Sequence, residues 1–427
     1  MPSNLRPFKL PENLKFGAAT ASLQIEGGDR NNSWFDWCEA GKVDHNDHCI
    51  SACDHWNRYL EDIQLMAEMG LQTYRLSIEW SRIFPRRKEV DFSAVDHYRK
   101  ILEELLNRGI EPVVTLHHFS NPRWLEKNGG WLCPSILDDF LFYVRTCVEG
   151  FGNFVDRWIT INEPNVYLFG GYIEGHWPPG NKSVLKYLKG ARNMILAHNA
   201  AYHEIHTLQQ MAKVGVAHHL RVFERADQAS LTRLSARVQE FLFQDIFLEG
   251  MTRSYLPFPL DIGDQPHPKR TCDFIGINYY SRDMIQGLQR FTLEDSPRND
   301  LDWEIYPHGL YRVCKMVHDR YGLPISITEN GIADAADTRR SRFIHDHLME
   351  IHKACHDGVD IQDYFHWSLM DNFEWAEGYA PRFGLIEIDY SSQERIWRNS
   401  GRFYQDICQN RAVTHEAINT YLEETGE

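Results

Sequence analysis

The chain of 427 residues has no apolar run approaching the roughly 18 residues a membrane helix needs, and Met1–Pro11 has no apolar stretch of the secretory kind. Neither a membrane span nor a signal peptide is expected. Basic side chains are outnumbered, 45 Lys and Arg against 60 Asp and Glu, for a formal net charge of −15. Such a surface repels phosphate backbones and anionic lipid, so nucleic acid and membrane drop out as expected partners. The nine cysteines are an odd number and stand singly apart from Cys49 and Cys53. No disulfide framework is implied, and a reducing, cytoplasmic setting is expected. There is no low-complexity segment and no Ser/Gly-rich linker, so residues 1–427 are read as one domain. With 43% hydrophobic residues, a chain this long buries a core without covalent staples.

What is present is an alternation of short apolar runs with longer amphipathic stretches, the mark of βα units around a parallel sheet. The apolar runs are Lys15–Ser22, Thr73–Trp80, Glu111–Phe119, Arg157–Pro164, Lys213–Leu220, Cys272–Tyr280, Pro324–Gly331 and Ile361–Asp371. That series matches a single closed (β/α)₈ barrel. The intervening helices carry start signals: Ser93-Ala-Val-Asp96 and Ser135-Ile-Leu-Asp138 read as capping boxes. Apolar stripes follow at helical spacing, through Val95, Tyr98, Ile101, Leu102, Leu105 and Leu106, then Leu137, Phe140, Leu141, Val144 and Val148. Trp56, Leu60, Ile63, Met66 and Ala67 form another before Gly70. Long connections follow the first and sixth runs, and in a barrel such loops build the active site.

Polar groups fall where apolar runs end. Arg75 and Glu79 close the second run, His117 and His118 the third, Asn162 and Glu163 the fourth. Asn278 and Tyr280 close the sixth, Glu329 and Asn330 the seventh, and Trp367 the eighth, with Glu374 and Trp375 in its loop. Two carboxylates, Glu163 and Glu329, each cap a β-branched run and should face each other across the barrel mouth. A pair about 5–5.5 Å apart suits double displacement at a glycosidic carbon, and about 6.5–9.5 Å suits inversion through a water.

Six longer motifs resemble glycoside hydrolase family 1, the β-glucosidase family. They are Gln24-Ile-Glu-Gly27, Arg75-Leu-Ser-Ile-Glu-Trp-Ser-Arg-Ile-Phe-Pro85, Ile161-Asn-Glu-Pro164, Gly276-Ile-Asn-Tyr-Tyr280, Ile327-Thr-Glu-Asn-Gly331 and Trp367-Ser-Leu-Met-Asp-Asn-Phe-Glu-Trp375. The likeness runs from Phe16 to Trp397. It implies a retaining β-glycosidase, a β-glucosidase with β-galactosidase and β-fucosidase side activities. Glu329 matches the nucleophile and Glu163 the general acid/base. Arg75 matches the arginine beside the nucleophile, with Asn278 and Tyr280 as its supports. Gln24, His118, Asn162, Glu374 and Trp375 match positions holding the non-reducing sugar, Asn162 at the 2-OH. Trp367 matches the aromatic floor and Trp303 the aglycone side. The chemistry needs Glu329 ionised and Glu163 protonated, and the expectation is that Arg75 favours the first while desolvation and the Glu329 charge raise Glu163.

The chain departs from the family pattern at Phe119-Ser120, where Trp-Asp is usual, and at Asn165, where Trp is common. Both are read as changes to the outer rim. Glu374-Trp375 replaces the hydroxyl residue of phospho-sugar relatives, so an unphosphorylated β-glycoside or oligosaccharide is the expected partner. A homo-oligomer is left open. A transglycosylase using the same intermediate, and a sugar-binding barrel without catalysis, are the alternatives. His45, Asp47, His48, Cys49, Cys53 and His55 crowd eleven positions, yet the second cysteine pair of a zinc ribbon is missing nearby, so they are read as a loop entering a helix. No metal and no cofactor is expected. His345, His347, His352 and His356 are read as one solvated helix face.

Overall fold

The computed structural model describes residues 5–261 and 269–422. Eight parallel strands close on themselves: β1 Lys15–Ala19, β2 Thr73–Ser77, β3 Glu111–His117, β4 Arg157–Asn162, β5 Lys213–His219, β6 Ile275–Asn278, β7 Ile325–Asn330 and β8 Ile361–Trp367. Closure is made by β8 on β1, where Trp367 pairs with Ala19. All eight strands fall inside the expected apolar runs, and each expected run overshoots at its C-terminal end. There the backbone has already left the sheet to form the C-terminal mouth of the barrel.

Helices ring the barrel: α1 His55–Met69, α2 Phe92–Asn107, α3 Ile136–Phe151, α4 Val184–Leu208, α5 Ile246–Arg253, α6 Pro307–Tyr321, α7 Arg340–His356 and α8 Asn399–Asn410. Their buried stripes follow the expected spacing, but Leu60 and Leu106 lie beyond the edge of their stripes and are exposed. Both capping expectations are corrected. Asp91, two residues earlier than Ser93 suggested, caps α2 by accepting from the Ser93 and Ala94 N–H groups. Ser135 does stand at the α3 N-cap, but its hydroxyl donates to Asp139 and caps no backbone N–H. The histidine face of α7 also divides: His345 and His347 are buried, His347 donating to the Phe343 carbonyl, and only His356 is well exposed. A helix with Phe343, Ile344, Leu348 and Ile351 turned inward places residues 345 and 347 at the margins of the same stripe.

The loop after β1 is tied down by ions as well as by packing. Asp62 on α1 is fully buried and accepts from His55 at 2.7 Å and from Arg395 at 2.8 Å. All nine cysteines are free thiols. Among the described residues, no helix is long and apolar enough to cross a membrane.

Candidate active site

At the C-terminal mouth of the barrel lies an open cavity of about 420 Å³. Glu163 and Glu329 both line it, with His118, Tyr280, Trp303, Trp367, Glu374 and Trp375. Gln24, Arg75, Asn162 and Asn278 form the layer beneath, so all twelve candidate residues converge on one place.

The layer beneath fixes the carboxylates. Arg75 is buried inside the barrel, with Ala19 and Val113 as its register partners on either side. Its guanidinium donates to Glu329 Oε1 at 2.6 Å, to the Thr328 carbonyl at 3.0 Å and to Asn162 Oδ1 at 2.6 Å. The Tyr280 hydroxyl donates to Glu329 Oε2 at 2.6 Å. Glu329 therefore has a donor on each oxygen. Two residues on, Gly331 passes so close to β8 that a Cβ there would stand 1.8 Å from the Trp367 carbonyl oxygen. Only glycine lets the β7 end lie against the β8 end at that distance.

Glu163 is the residue between β4 and a short helix, Pro164–Phe169. Pro164 at the helix start disfavours a right-handed helical turn in the residue before it. Glu163 takes the left-handed region instead, with φ 39° and ψ 61°. A non-glycine residue held there carries about 1–3 kcal/mol of local strain and is typical of functional positions. Its Oε1 accepts from Asn278 Nδ2 at 2.8 Å and from His219 Nδ1 at 2.9 Å. Asn278, expected on the nucleophile side, thus serves the other carboxylate. It stands in register with Glu329, but Thr328 donates to its Oδ1 and so turns its amide nitrogen towards Glu163 and Asn162.

His219 is the residue that sequence reasoning missed. It closes β5, the run credited with no chemistry, although the rule that strand ends carry function applies to it as to the others. Arg221 donates to His219 Nε2 at 2.9 Å. The ring proton is thereby placed on Nδ1, aimed at Glu163. Asn165, expected at the outer rim, is buried instead, and its Nδ2 donates to the His219 carbonyl at 2.9 Å. Phe119 does line the cavity, packed 5.0 Å from Trp177 and 5.1 Å from Trp375.

Protonation follows from these contacts. Burial pushes Glu329 up to about 7, opposed by Arg75, assisted by the Glu163 charge and opposed again by the Tyr280 hydroxyl. Burial also raises Glu163, but His219, Asn278 and Arg75 together hold it below the usual carboxylate range. This reverses the expected split: Arg75 does not outweigh the desolvation of Glu329, and the unforeseen His219 favours the charged form of Glu163. Two buried carboxyls that share one cavity and feel each other's charge hold one proton between them near neutrality, and the ground-state arrangement leans it towards Glu329. Glu374 is pushed well above the usual carboxylate range by burial, with the charges of Glu377 and Glu329 adding.

The wall is ready for a polyhydroxylated ring. Asn162 Nδ2 donates to His118 Nε2 at 3.0 Å, which leaves the ring proton of His118 on Nδ1. That Nδ1 is buried with no partner, as is Oε1 of Gln24, whose Nε2 is held by Asn372, Phe373 and Glu374. One unpaired donor and one unpaired acceptor match hydroxyls that donate and accept. Trp367 and Trp375 flank His118 with near-parallel rings at 5.8 and 6.0 Å. Trp303 packs edge-on to Tyr280 at 5.7 Å, on the outer side.

Residues 7–413 match the family described as Glycosyl hydrolase family 1. β-Glucosidase A of Thermotoga maritima is 34% identical over 95% of this chain and 99% of its own. A 1,4-β-D-glucan glucohydrolase of Thermotoga neapolitana is likewise 34% identical over 95% and 99%. Among solved structures, a β-glycosidase from Pyrococcus horikoshii superposes with a TM-score of 0.90 at 38% identity, covering 97% of this chain and 98% of that one. The Thermotoga maritima β-glucosidase in complex with glucoimidazole gives 0.88 at 33% identity, over 94% and 99%. Arg75, Glu163, Glu329 and the polar residues around them thus stand on a barrel shared almost end to end with these glycosidases, and the chain belongs to glycosyl hydrolase family 1.

Proposed function

We propose that the protein is a retaining β-glucosidase that hydrolyses terminal, unphosphorylated β-glycosides through a covalent glycosyl-enzyme intermediate. The observation that carries this reading is Glu329, held by Arg75 on one oxygen and Tyr280 on the other, in the same cavity wall as Glu163. A carboxylate with both oxygens oriented by donors is prepared to attack a carbon. A second carboxyl beside it can protonate the departing oxygen.

In the first step Glu329 bonds to the anomeric carbon while Glu163 transfers its proton to the leaving oxygen, releasing the aglycone alcohol. The reactive form carries the shared proton on Glu163, with Glu329 ionised against Arg75. The ester formed at Glu329 removes one negative charge from the pair. Glu163, now a carboxylate held by Asn278 and His219, takes a proton from water as that water attacks the same carbon and frees Glu329. Gln24, His118, Asn162 and Glu374 hold the sugar hydroxyls over the Trp367 floor, and Trp303 bounds the aglycone. A buried carboxyl at Glu374, with Glu377 beside it, disfavours a phosphorylated sugar. The nine free thiols suit a reducing, cytoplasmic setting.

The test is a pair of variants and one stereochemical measurement. Glu329→Ala and Glu163→Ala each lose nearly all cleavage of nitrophenyl β-glucoside. Azide rescues Glu329→Ala and gives the glycosyl azide of inverted configuration, while NMR of the parent reaction shows β-glucose as the first product. Near-normal turnover by Glu329→Ala, or α-glucose as the first product, overturns the assignment.

A further inference from the structure

The crowded loop after β1 assembles differently from its sequence spacing. Cys53 leaves the group, its thiol donating to the Asp371 carbonyl at 3.0 Å. His55 is bound to Asp62, and Asp47 accepts from the Tyr379 N–H at 2.7 Å. What remains, His48 and Cys49, meets a residue eleven positions back. Cys38 lies in the last turn of the helix Ser33–Glu39, and the chain reverses through a tight turn in which His45 and Asn46 both have positive φ. The sulfurs of Cys38 and Cys49 and a ring nitrogen of His48 then lie within 4.8 Å of one another. No other group of this kind occurs among the described residues.

We propose that Cys38, His48 and Cys49 form a structural site for one zinc ion, with Glu39 orienting the His48 ring. Two thiolates and an imidazole are the donor set zinc favours, and bonds of about 2.3 Å to sulfur and 2.0–2.1 Å to nitrogen bring tetrahedral ligand atoms about 3.4–3.8 Å apart. Small side-chain rotations close that gap. Glu39 Oε1 lies 3.1 Å from His48 Nε2 and accepts its proton, while Nδ1 accepts from the Ile50 N–H at 3.1 Å, so a cation bound at Nδ1 exchanges that one hydrogen bond for a zinc–nitrogen bond. A histidine ligand backed by a carboxylate is the usual outer support of a zinc site. Both sulfurs are buried, whereas the His48 side chain keeps 25% of its surface exposed, which gives the ion a way in and a fourth position for water.

The ion's role follows from what the helix carries. Trp34, one turn before Cys38, packs 5.0 Å from Trp375 and 5.6 Å from Trp177 in the wall of the cavity. Zinc at the end of this helix fastens the backing of a sugar-facing tryptophan without touching the reacting atoms. It therefore acts on stability and on KM and leaves kcat alone.

The experiment uses the full-length protein. It is stripped with a chelator under reducing conditions, reloaded with one equivalent of zinc or cobalt, and freed of excess metal. One zinc per chain is expected by mass spectrometry. Zinc should raise the melting temperature, and cobalt should give a thiolate charge-transfer band that Cys38→Ser and Cys49→Ser abolish and Cys355→Ser keeps. Should the cysteine variants not fold, His48→Gln and Glu39→Gln serve, each lowering zinc affinity on the order of 10–100-fold in chelator competition. Retention of less than a tenth of an equivalent overturns the proposal. So does a cobalt band that survives both cysteine variants, or recovery of Cys38 and Cys49 as a disulfide in zinc-treated protein.

Discussion

Replacing Tyr280 by Phe isolates the bond that orients one oxygen of Glu329. The ring packs 5.7 Å from both His219 and Trp303, contacts that phenylalanine keeps. Only the hydroxyl is lost, with its 2.6 Å hydrogen bond to Glu329 Oε2. Glu329 is 3% exposed, so water does not readily replace the donor. A hydrogen bond to a charged group contributes about 1.5–3 kcal/mol. At about 1.4 kcal/mol per tenfold, kcat/KM should fall roughly 10–150-fold. Arg75 still holds the other oxygen, which keeps the loss well short of that in Glu329→Ala. The pH dependence has a defined sign. The reactive form carries one proton for the pair, and burial pushes Glu329, which holds that proton at rest, up to about 7, so activity falls as pH rises through that value. Removing a donor to the carboxylate raises it further. The alkaline limb of the Tyr280→Phe profile should lie at higher pH, with the deficit larger at pH 6 than at pH 9. Initial rates on nitrophenyl β-glucoside across this range measure both quantities, with thermal unfolding as the check on fold. A variant within twofold of the parent at every pH, with a superimposed alkaline limb, refutes the assignment of Tyr280 to the charged form of Glu329.

His219→Phe removes a donor from Glu163, whose carboxyl should rise; the acid limb of kcat/KM, where the pair takes its second proton, then moves to higher pH, whereas loss of packing alone would lower the curve uniformly. Gly331→Ala sets a methyl 1.8 Å from the Trp367 carbonyl oxygen, and overpacking of about 1–3 kcal/mol or more should appear as a lower urea midpoint. Arg395→Met leaves Asp62 buried beside His55 alone, a loss of about 3–5 kcal/mol in urea unfolding at neutral pH. His55 and Arg395 hold Asp62 below its usual range against burial, so its contribution is present above the unfolded carboxyl range near pH 4 and is lost as pH falls through the depressed value. The Arg395→Met deficit should therefore shrink on acidification, and an undiminished deficit at pH 3 would count against it.

The barrel was legible because its signal is repetitive. A β-branched run that is buried on both faces, such as Trp158-Ile-Thr-Ile161, has few other places to go, and eight such runs separated by amphipathic helices define closure. The sugar-facing layer was legible through its motifs. The partners of Glu163 were not. His219 follows another histidine, His218, in a run with no motif, and which of the two faces the site depends on strand phase, which a one-residue error inverts. Asn165 was misplaced for a related reason: only the turn at Glu163 decides whether the next residues look outward or back at β5. The capping errors are local competitions, since Asp91 and Ser93 offer the same acceptor chemistry two positions apart. Cys38 escaped notice because its neighbours Cys49 and His48 are brought to it by a turn with two left-handed residues, neither of them glycine.

The corrections at Asn165 and His219 join into one argument about specificity. The inner half of the cavity is built from the motif residues that are proposed to hold the sugar. The outer half is built from residues outside every motif. Phe119 meets Trp177, Arg221 lies over the Phe243 ring at 5.6 Å, and Arg290 lies over Phe169 and Phe223 at 5.5 Å. Asp283 sits between the two guanidiniums, 3.4 Å from Arg221 and 3.6 Å from Arg290. Arg221 also fixes the His219 ring that addresses Glu163. A group bound in this outer half and contacting Arg221 is thus two hydrogen bonds from the proton donor. Arg221 is the residue through which a bound aglycone would reach the donor to Glu163: a leaving group that draws Arg221 away from His219 should loosen that donor and favour the proton on Glu163, as the proposed first step requires.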